Sequence, residues 1–169
     1  MAVKLRPLEP EDLDDLYLIE NDMSDWGGCV SNVPYSRYSL RNYIATQQCD
    51  IYVDKQLRLV VESNGIVAGL VDLQNFDPHN SRAEVGIIIK RSMRRRGLAA
   101  DALAQIVDYA RNVLGIEQLY AIVNVSNKSS VRLFEKLNFI HTSTLQNWIK
   151  TSDKSENACV FQLFLKKIE

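Results

Sequence analysis

Residues 82–103 read RAEVGIIIKRSMRRRGLAADAL. The apolar run at 82–90 predicts a β-strand. A basic turn then leads to Gly97. Beyond it, apolar residues recur at helical spacing and Gly115 is expected to end the helix: Leu103, Ile106, Val107, Ala110, Val113 and Leu114. The stretch therefore predicts a strand, a turn and a helix in direct succession.

This strand-turn-helix unit has the features of a phosphate-binding loop. The first N–H groups of a helix have no intrahelical partner, and the helix dipole adds positive charge there. Gly97 permits close approach of a ligand and Ala99 keeps the first turn small, while the arginines at 94–96 can make charge-assisted contacts. Neither a Walker A nor a Gly-x-Gly-x-x-Gly pattern occurs. From the residues alone, a phosphate loop and a solvated basic turn are both open.

The flanking sequence predicts a mixed α/β domain. Asn64-Gly65 between two apolar runs predicts a hairpin of strands 57–63 and 66–76, because a type I′ turn needs positive φ at both central residues. The other predicted strands are 3–8, 117–125, 139–149 and 158–168, the last two joined by a polar link at 150–157. The other predicted helices are 10–22, 36–48 and 126–138, the last capped by Ser126 or Asn127.

Composition limits the function classes. The 169 residues suit one domain, 1–169, and 20 Lys and Arg against 21 Asp and Glu argue against a general nucleic-acid or membrane-surface binder. Cys29, Cys49 and Cys159 lack metal-ligand spacing, so free thiols and no metal site are expected. No signal peptide or membrane span is found, and a cytoplasmic protein is expected.

A second motif lies downstream of the basic loop. Arg94-x-x-Gly97-x-Ala99 resembles the pyrophosphate loop of the GNAT superfamily of N-acetyltransferases. Asn127-x-x-Ser130 followed by LFEKLNF at 133–139 resembles that family's second motif, about thirty residues further on. KLRPLEPEDL, VVESNGIVAGLVDL and RAEVGIII are most similar to its spermidine N-acetyltransferase and ribosomal-protein acetyltransferase branch.

The resemblance implies a fold and a cosubstrate. The fold would have a mixed, mostly antiparallel central sheet, splayed at the CoA site and flanked by about four helices. Acetyl-CoA would lie with its pyrophosphate on the basic loop and its pantetheine arm along the main chain of the preceding strand. The cofactor-binding residues implied are Ile87, Ile88, Ile89, Arg94, Arg95, Arg96, Gly97, Leu98, Ala99, Ala100, Asn127, Ser130 and Lys136. The simpler interpretation of the isoleucine side chains is that they pack in the core. The simpler interpretation of Asn127 is that it caps a helix.

The implied activity is direct transfer of an acetyl group to a primary amine, with no nucleic-acid or membrane partner. The family often has a tyrosine as proton donor where this chain has Phe134, which cannot donate a proton. An acyl-CoA-binding module with weak or lost catalysis is therefore the alternative function. Glu84 is the candidate base, acting through water, unless it is simply paired with Arg82. Phe134 could line the thioester site or pack in the core.

The acceptor region is less typical of a polyamine enzyme. Residues 26–48 contain no carboxylate but do contain Arg37 and Arg41, whereas a polycation calls for several carboxylates. A polyamine such as spermidine and a protein N-terminal amine both stay open as acceptors. Candidate substrate residues are Trp26, Tyr35, Tyr38 and Asp72, with core packing as the alternative for the aromatic three. A homo-oligomer is possible, since exposed strand edges in such folds often pair.

Overall fold

Seven strands form one sheet in the computed structural model, which describes residues 2–22, 33–151 and 154–165. The strands are β1 (Val3–Pro7), β2 (Leu57–Ser63), β3 (Ile66–Asp77), β4 (Arg82–Ile89), β5 (Gln118–Asn124), β6 (Ile140–Lys150) and β7 (Ser155–Phe164). The helices of the described chain are α1 (Leu13–Glu20), α2 (Arg37–Thr46), the single turn α3 (Ile51–Asp54), α4 (Leu98–Asn112) and α5 (Lys128–Lys136). The predicted α/β fold class is confirmed, with α3 as the one short helix beyond the four expected.

The sheet divides in its middle. Its order is β1-β2-β3-β4-β5-β7-β6, and every neighbouring pair is antiparallel except β4 and β5. The parallel β4–β5 pairing covers only Arg82–Glu84 against Gln118–Tyr120. Beyond it β4 continues along β3 to Ile89, and β5 continues along β7 to Asn124. The two strands therefore separate toward their C-terminal ends, as the predicted splay requires.

Two apolar layers cover the sheet. On one face α4 buries Leu103, Ile106 and Ala110 completely, against strand residues that include Ala83 and Val85 of β4. On the other face α1 and α2 form a second cluster, which β4 reaches through Ile88. Since side chains alternate along a strand, Glu84 and Gly86 face the same side as Ile88, toward α1 and α2. The sheet thus separates the face covered by α4 from the face on which Glu84 lies.

The β2–β3 hairpin and the α4 termini follow the sequence prediction. Asn64 and Gly65 have φ of 54° and 74°, as a type I′ turn requires. Gly97 and Gly115 flank α4 with φ of 82° and 64°, so glycine supplies the left-handed conformation at each end. The strand and helix boundaries here agree with the predicted ones to within a few residues.

Two boundaries differ from the prediction. The segment predicted as one helix over 10–22 begins as a 3₁₀ turn, Pro10–Asp12, before α1 starts at Leu13. The predicted polar link at 150–157 is shorter, because β6 extends to Lys150 and β7 begins at Ser155. Polar residues can occupy these strand ends because β6 is an edge strand, where solvent reaches the side chains. Among the described residues, no helix is both long and apolar enough to cross a membrane.

Candidate active site

A cleft of about 860 Å³ opens where β4 and β5 separate, between the end of β4, the start of α4 and α5. We call this the cosubstrate cleft. Every residue of the implied cofactor-binding set lines it except Arg96. Four further residues line it that the sequence did not indicate: Met93, Ser129, Arg132 and Leu133. The last three could have been inferred, because positions three and four apart on α5 share the helical face of Asn127, Ser130 and Lys136.

The loop before α4 presents main chain to the cleft. Gly97 precedes the helix in the left-handed conformation, and its carbonyl accepts the first helical hydrogen bonds, from Ala100 N at 3.0 Å and Asp101 N at 3.2 Å. The N–H groups of Leu98 and Ala99 lie before these first donors, at the end of the helix where the dipole is positive. A Cβ on Gly97 would meet no atom within 4 Å. The space beside the helix terminus is therefore open to a ligand.

The three arginines of the loop differ in position. Arg94 lines the cleft and its Nε donates to the Ile89 carbonyl at 2.8 Å, which ties the loop to the end of β4. Arg95 also lines the cleft. Arg96 instead turns back, and its Nη2 donates to the Ser92 carbonyl at 2.9 Å. Arg96 does not line the cleft, since this hydrogen bond directs the guanidinium toward its own turn, and its role in cofactor binding stays a prediction.

The end of β4 combines core side chains with an open main-chain edge. The Ile89 side chain is 7% exposed and belongs to the core beneath α4, which agrees with the simpler reading of the isoleucines. Over Ile87–Ile89, β4 pairs with β3 on one side only, since the pairing with β5 ends at Glu84. The other edge of β4 borders the cleft, where a ligand with amide groups could hydrogen-bond to it.

Asn127 caps α5 and lines the cleft at the same time. Its Oδ1 accepts from Ser130 N at 3.1 Å and from Ser129 Oγ at 2.9 Å. This arrangement fixes the start of α5 and satisfies one of its first N–H groups. The capping reading is confirmed, and of the two predicted cap residues it is Asn127 rather than Ser126.

The turn that leads into α5 is fastened to β7 by Glu156. One carboxylate oxygen of Glu156 accepts from Asn124 Nδ2 at 2.6 Å and Ser126 Oγ at 2.8 Å, and the other is 2.8 Å from Lys154 Nζ. Hydrogen bonds from Lys154, Asn124 and Ser126 lower the pKa of Glu156 to about 2. The cluster joins residues far apart in sequence, so no local pattern indicated it.

Glu84 lies at the vertex where β4 and β5 separate, in their last residue pair, and is not among the residues that line the cosubstrate cleft. It is half-buried, and its Oε2 accepts from Asn75 Nδ2 at 2.8 Å. Its partner across the parallel pairing is Tyr120. Arg82, the alternative partner expected from sequence, instead lies 3.2 Å from Asp77. The alternative in which Glu84 pairs with Arg82 is not confirmed, because Asp77, the last residue of β3, lies opposite Arg82 in the β3–β4 pairing.

Phe134 belongs to the core. It is 4% exposed and packs edge-on against Phe139 and face-to-face on Phe161, with ring centroids 5.1 and 5.9 Å apart. Its neighbour Leu133 lines the cleft, whereas Phe134 does not. Of the two roles considered for Phe134, the structure supports core packing.

The candidate acceptor residues are only partly described. Trp26 lies outside the described residues. Tyr35 and Tyr38 are 38% and 72% exposed, so core packing does not account for them. Asn21 hydrogen-bonds to both backbone groups of Tyr35, with Tyr35 N donating at 2.8 Å and Asn21 Nδ2 donating at 3.0 Å. This contact brings the end of α1 to the start of α2 and leaves the tyrosine side chains at the surface.

Asp72 does not stand ready for a cationic ligand. Its two carboxylate oxygens accept from Arg58 Nε at 2.8 Å and Nη2 at 3.0 Å, and Arg58 Nη1 also donates to Glu20 at 2.6 Å. One guanidinium thus serves both carboxylates. The structure does not favour Asp72 as an amine-binding residue, because its charge is already compensated within the fold.

Other acidic residues of α1 are compensated in the same way. Asp14 is paired with Arg37 of α2, and Asp15 lies 2.5 Å from Lys90 at the end of β4. Together with the Glu20–Arg58 pair, these contacts define what we call the paired-charge face. Arg37 also stacks over the Tyr17 ring at 4.5 Å. This face presents opposite charges side by side rather than a field of one sign.

Comparison with known proteins gives a consistent result. The family model for the acetyltransferase (GNAT) domain matches residues 2–140. The spermidine N(1)-acetyltransferase of Escherichia coli (strain K12) is 32% identical over 164 residues, covering 95% of this chain and 87% of that protein. A putative ribosomal N-acetyltransferase of Bacillus subtilis (strain 168) is 22% identical, covering 99% and 93%. The Vibrio cholerae spermidine N-acetyltransferase, solved in complex with CoA and spermine, superposes with a TM-score of 0.85 at 25% identity, covering 96% and 95%.

Proposed function

The chain belongs to the GNAT family of acetyltransferases, and on that premise we propose that it transfers the acetyl group of acetyl-CoA directly to a primary amine. The observation that carries the proposal is the cosubstrate cleft, which gathers both sequence motifs at the gap between β4 and β5. The structure of a similar protein in complex with CoA supports the same cosubstrate.

The cleft offers acetyl-CoA a different kind of partner along its length. At the start of α4, the N–H groups after Gly97 and the guanidinium groups of Arg94 and Arg95 would hold the pyrophosphate. The open edge of β4 at Ile87–Ile89 would pair with the amides of the pantetheine arm, and Asn127 would contact the same arm from α5. The arm then runs toward the vertex, so the thioester would reach the neighbourhood of Glu84.

The chemistry needs few groups from the protein. A primary amine is protonated at neutral pH and must lose a proton before it attacks the thioester carbonyl. Glu84 would accept that proton, through a water molecule. The new C–N bond forms, the C–S bond breaks, and the CoA thiolate takes a proton, which Phe134 cannot supply and which solvent would provide. Positioning both reactants in one cleft contributes much of the rate.

Two acceptor classes follow from two observations. The similarity to spermidine N-acetyltransferases supports a polyamine. The paired-charge face supports an amine with a single positive charge, such as a protein N-terminus, because α1 carboxylates that could hold a polycation already have partners. The second class also agrees with the similarity to a putative ribosomal N-acetyltransferase.

The burial of Phe134 keeps a second function open, an acyl-CoA-binding module with weak or lost catalysis. Calorimetric titration with acetyl-CoA, followed by spermidine or a short peptide with a free N-terminus, separates the possibilities. We expect micromolar acetyl-CoA binding, and release of free thiol with one of the two acceptors. Tight binding with no thiol release across a broad amine panel would favour the binding module. No acetyl-CoA binding would overturn the proposal altogether.

A further inference from the structure

Three polar side chains meet at the vertex where β4 and β5 separate: Asn75, Glu84 and Tyr120. Asn75 Nδ2 donates to Glu84 Oε2 at 2.8 Å. Tyr120 stands opposite Glu84 in the parallel pairing, and Glu84 and Asn75 are the polar neighbours that act on its hydroxyl. The three residues come from three neighbouring strands, β3, β4 and β5, so only the assembled sheet brings them together.

A β-bulge directs Asn75 into this group. The pairing of β3 with β4 shifts register between Gln74 and Asp77, and Asn75 has φ of 52°. In a regular strand Asn75 would point away from Glu84, because its neighbour Gln74 is the residue paired with Glu84. Bulges re-aim side chains in this way, and asparagine tolerates the left-handed conformation better than most residues. The backbone distortion is therefore tied to the Asn75–Glu84 hydrogen bond.

The Tyr120 hydroxyl keeps its proton across the neutral range. Burial and the nearby charge of Glu84 raise the pKa of Tyr120, and Arg82, the other charged group acting on it, opposes this. Arg82 is itself held by Asp77. A protonated phenol next to a carboxylate donates its hydrogen bond to that carboxylate. Glu84 thus accepts a hydrogen bond from the Asn75 amide and has a protonated phenol as its neighbour across the parallel pairing.

We infer that Asn75 and Tyr120 are positioning residues that hold the Glu84 carboxylate at the vertex as the proton acceptor for the incoming amine. The inference rests on the proposed acetyl transfer. A carboxylate held by an amide donor and flanked by a phenol hydroxyl has a restricted orientation, which proton transfer demands. Since Glu84 lies on the face covered by α1 and α2, it accepts the amine's proton on the side opposite α4.

The test compares wild type with Tyr120→Phe, which removes one hydroxyl from a half-buried ring. We expect kcat to fall about ten-fold to a hundred-fold, a part of what general base catalysis contributes, while the acetyl-CoA dissociation constant stays unchanged. Tyr109→Phe is the matched control, because Tyr109 is an exposed tyrosine on α4. A loss of activity in the control equal to that of Tyr120→Phe would overturn the inference.

The pH dependence distinguishes positioning from a purely structural role. A base is needed most when the amine is protonated. The ratio of wild-type to Tyr120→Phe rates should therefore shrink as the pH rises from about 7 toward the pKa of the acceptor, roughly 8 for an α-amine and roughly 10 for an alkyl amine. A ratio that stays constant with pH would contradict the inference, since a distorted site loses activity equally at every pH.

Asn75→Gly is the second variant, which keeps the test independent of the folding of Tyr120→Phe. Glycine accepts the same positive φ and removes the donor without adding a charge beside Glu84. It should show the same loss of kcat and the same pH trend. A wild type that releases no thiol overturns both the proposed function and this inference, whereas an active wild type with unimpaired variants overturns the inference alone.

Discussion

The cosubstrate cleft and the paired-charge face present different kinds of chemical group. The cosubstrate cleft presents main chain, at a helix terminus and at a strand edge, together with residues of two short motifs. The paired-charge face presents side chains whose charges compensate one another across α1, α2, β2 and β4. A main-chain site is specified by local sequence, while a side-chain network depends on the assembled fold. The comparison explains why the cosubstrate is easier to infer than the acceptor.

The largest expected effect is a loss of acetyl-CoA affinity when the main chain of the cosubstrate cleft is altered. Gly97→Glu puts a carboxylate and an unfavourable left-handed residue at the mouth of the cleft, and we expect acetyl-CoA affinity to fall by more than about 100-fold through charge repulsion and loop strain. Calorimetric titration measures it. Gly115→Glu is the matched control, because Gly115 has a similar φ and open surroundings at the far end of α4. Equal loss in both variants would show that destabilisation, not the loop, was responsible.

The next effect separates chemistry from binding within the site. Glu84→Gln retains the acceptor for Asn75 but cannot take a proton, so we expect kcat to fall about 100-fold or more with little change in acetyl-CoA affinity. Steady-state kinetics and calorimetry on the same preparation check it. Equal losses in kcat and affinity would return Glu84 to a structural role.

A smaller effect, on the KM for spermidine, would test whether the acceptor binds near the paired-charge face. Arg37→Glu with Arg41→Glu replaces two exposed cations by anions, so the KM for spermidine should fall about ten-fold at low salt. The KM of a peptide whose only positive charge is its N-terminal amine should change less, because fewer charges are attracted. Kinetics at two salt concentrations measure this. Arg111→Glu is the control, because it changes the charge in the last turn of α4 and leaves α1 and α2 unaltered. An unchanged spermidine KM would mean that the acceptor does not pass these helices.

The smallest effect concerns how the paired-charge face is anchored. Arg6 lies 2.7 and 2.8 Å from the oxygens of the nearly buried Asp12 just before α1. Hydrogen bonding from Arg6 lowers the pKa of Asp12, so its contribution is fully present above the unfolded value of 3.8 and is lost as pH falls through the lower folded value.

Asp12→Asn tests this anchor. At pH 7 we expect the free energy of unfolding to fall by about 1 kcal/mol, since Glu62 still engages Arg6. Urea unfolding at several pH values measures it. The difference from wild type should narrow as the pH falls below 3.8, and a constant difference at every pH would contradict the assignment.

Much of the fold was predictable because its signals are local. Asn64-Gly65 specifies a hairpin turn through positive φ at two adjacent residues, and Gly97 does the same for the start of α4. The Asn127 cap follows from its place before an apolar period. The cleft residues followed from the motifs that surround these positions. In each case the physical cause lies within a few residues of the signal.

The rest depends on contacts that no window of sequence contains. Arg58 meets Asp72 through strand register and Glu20 through packing of α1 on the sheet. Tyr120 meets Glu84 because two strands run parallel for three residue pairs before they part. Arg82 meets Asp77 rather than Glu84 for the same reason, since Asp77 lies opposite it only after the bulge in β3. Contacts of this kind are not visible in a local stretch of sequence, which is why the sequence left the acceptor open.

The gap between β4 and β5 also affects the solubility of the protein and its resistance to proteolysis. From Val85 to Ile89, β4 has β3 on one side and the cleft on the other, so a strand edge lies within the sheet instead of at its border. Such an edge can recruit an extended segment of another chain. A bound pantetheine arm would cover this edge of β4 reversibly, in the place that a neighbouring strand would otherwise take. Solubility on storage and resistance to proteolysis should therefore rise when the proposed cosubstrate is bound, because the exposed edge of β4 is then covered.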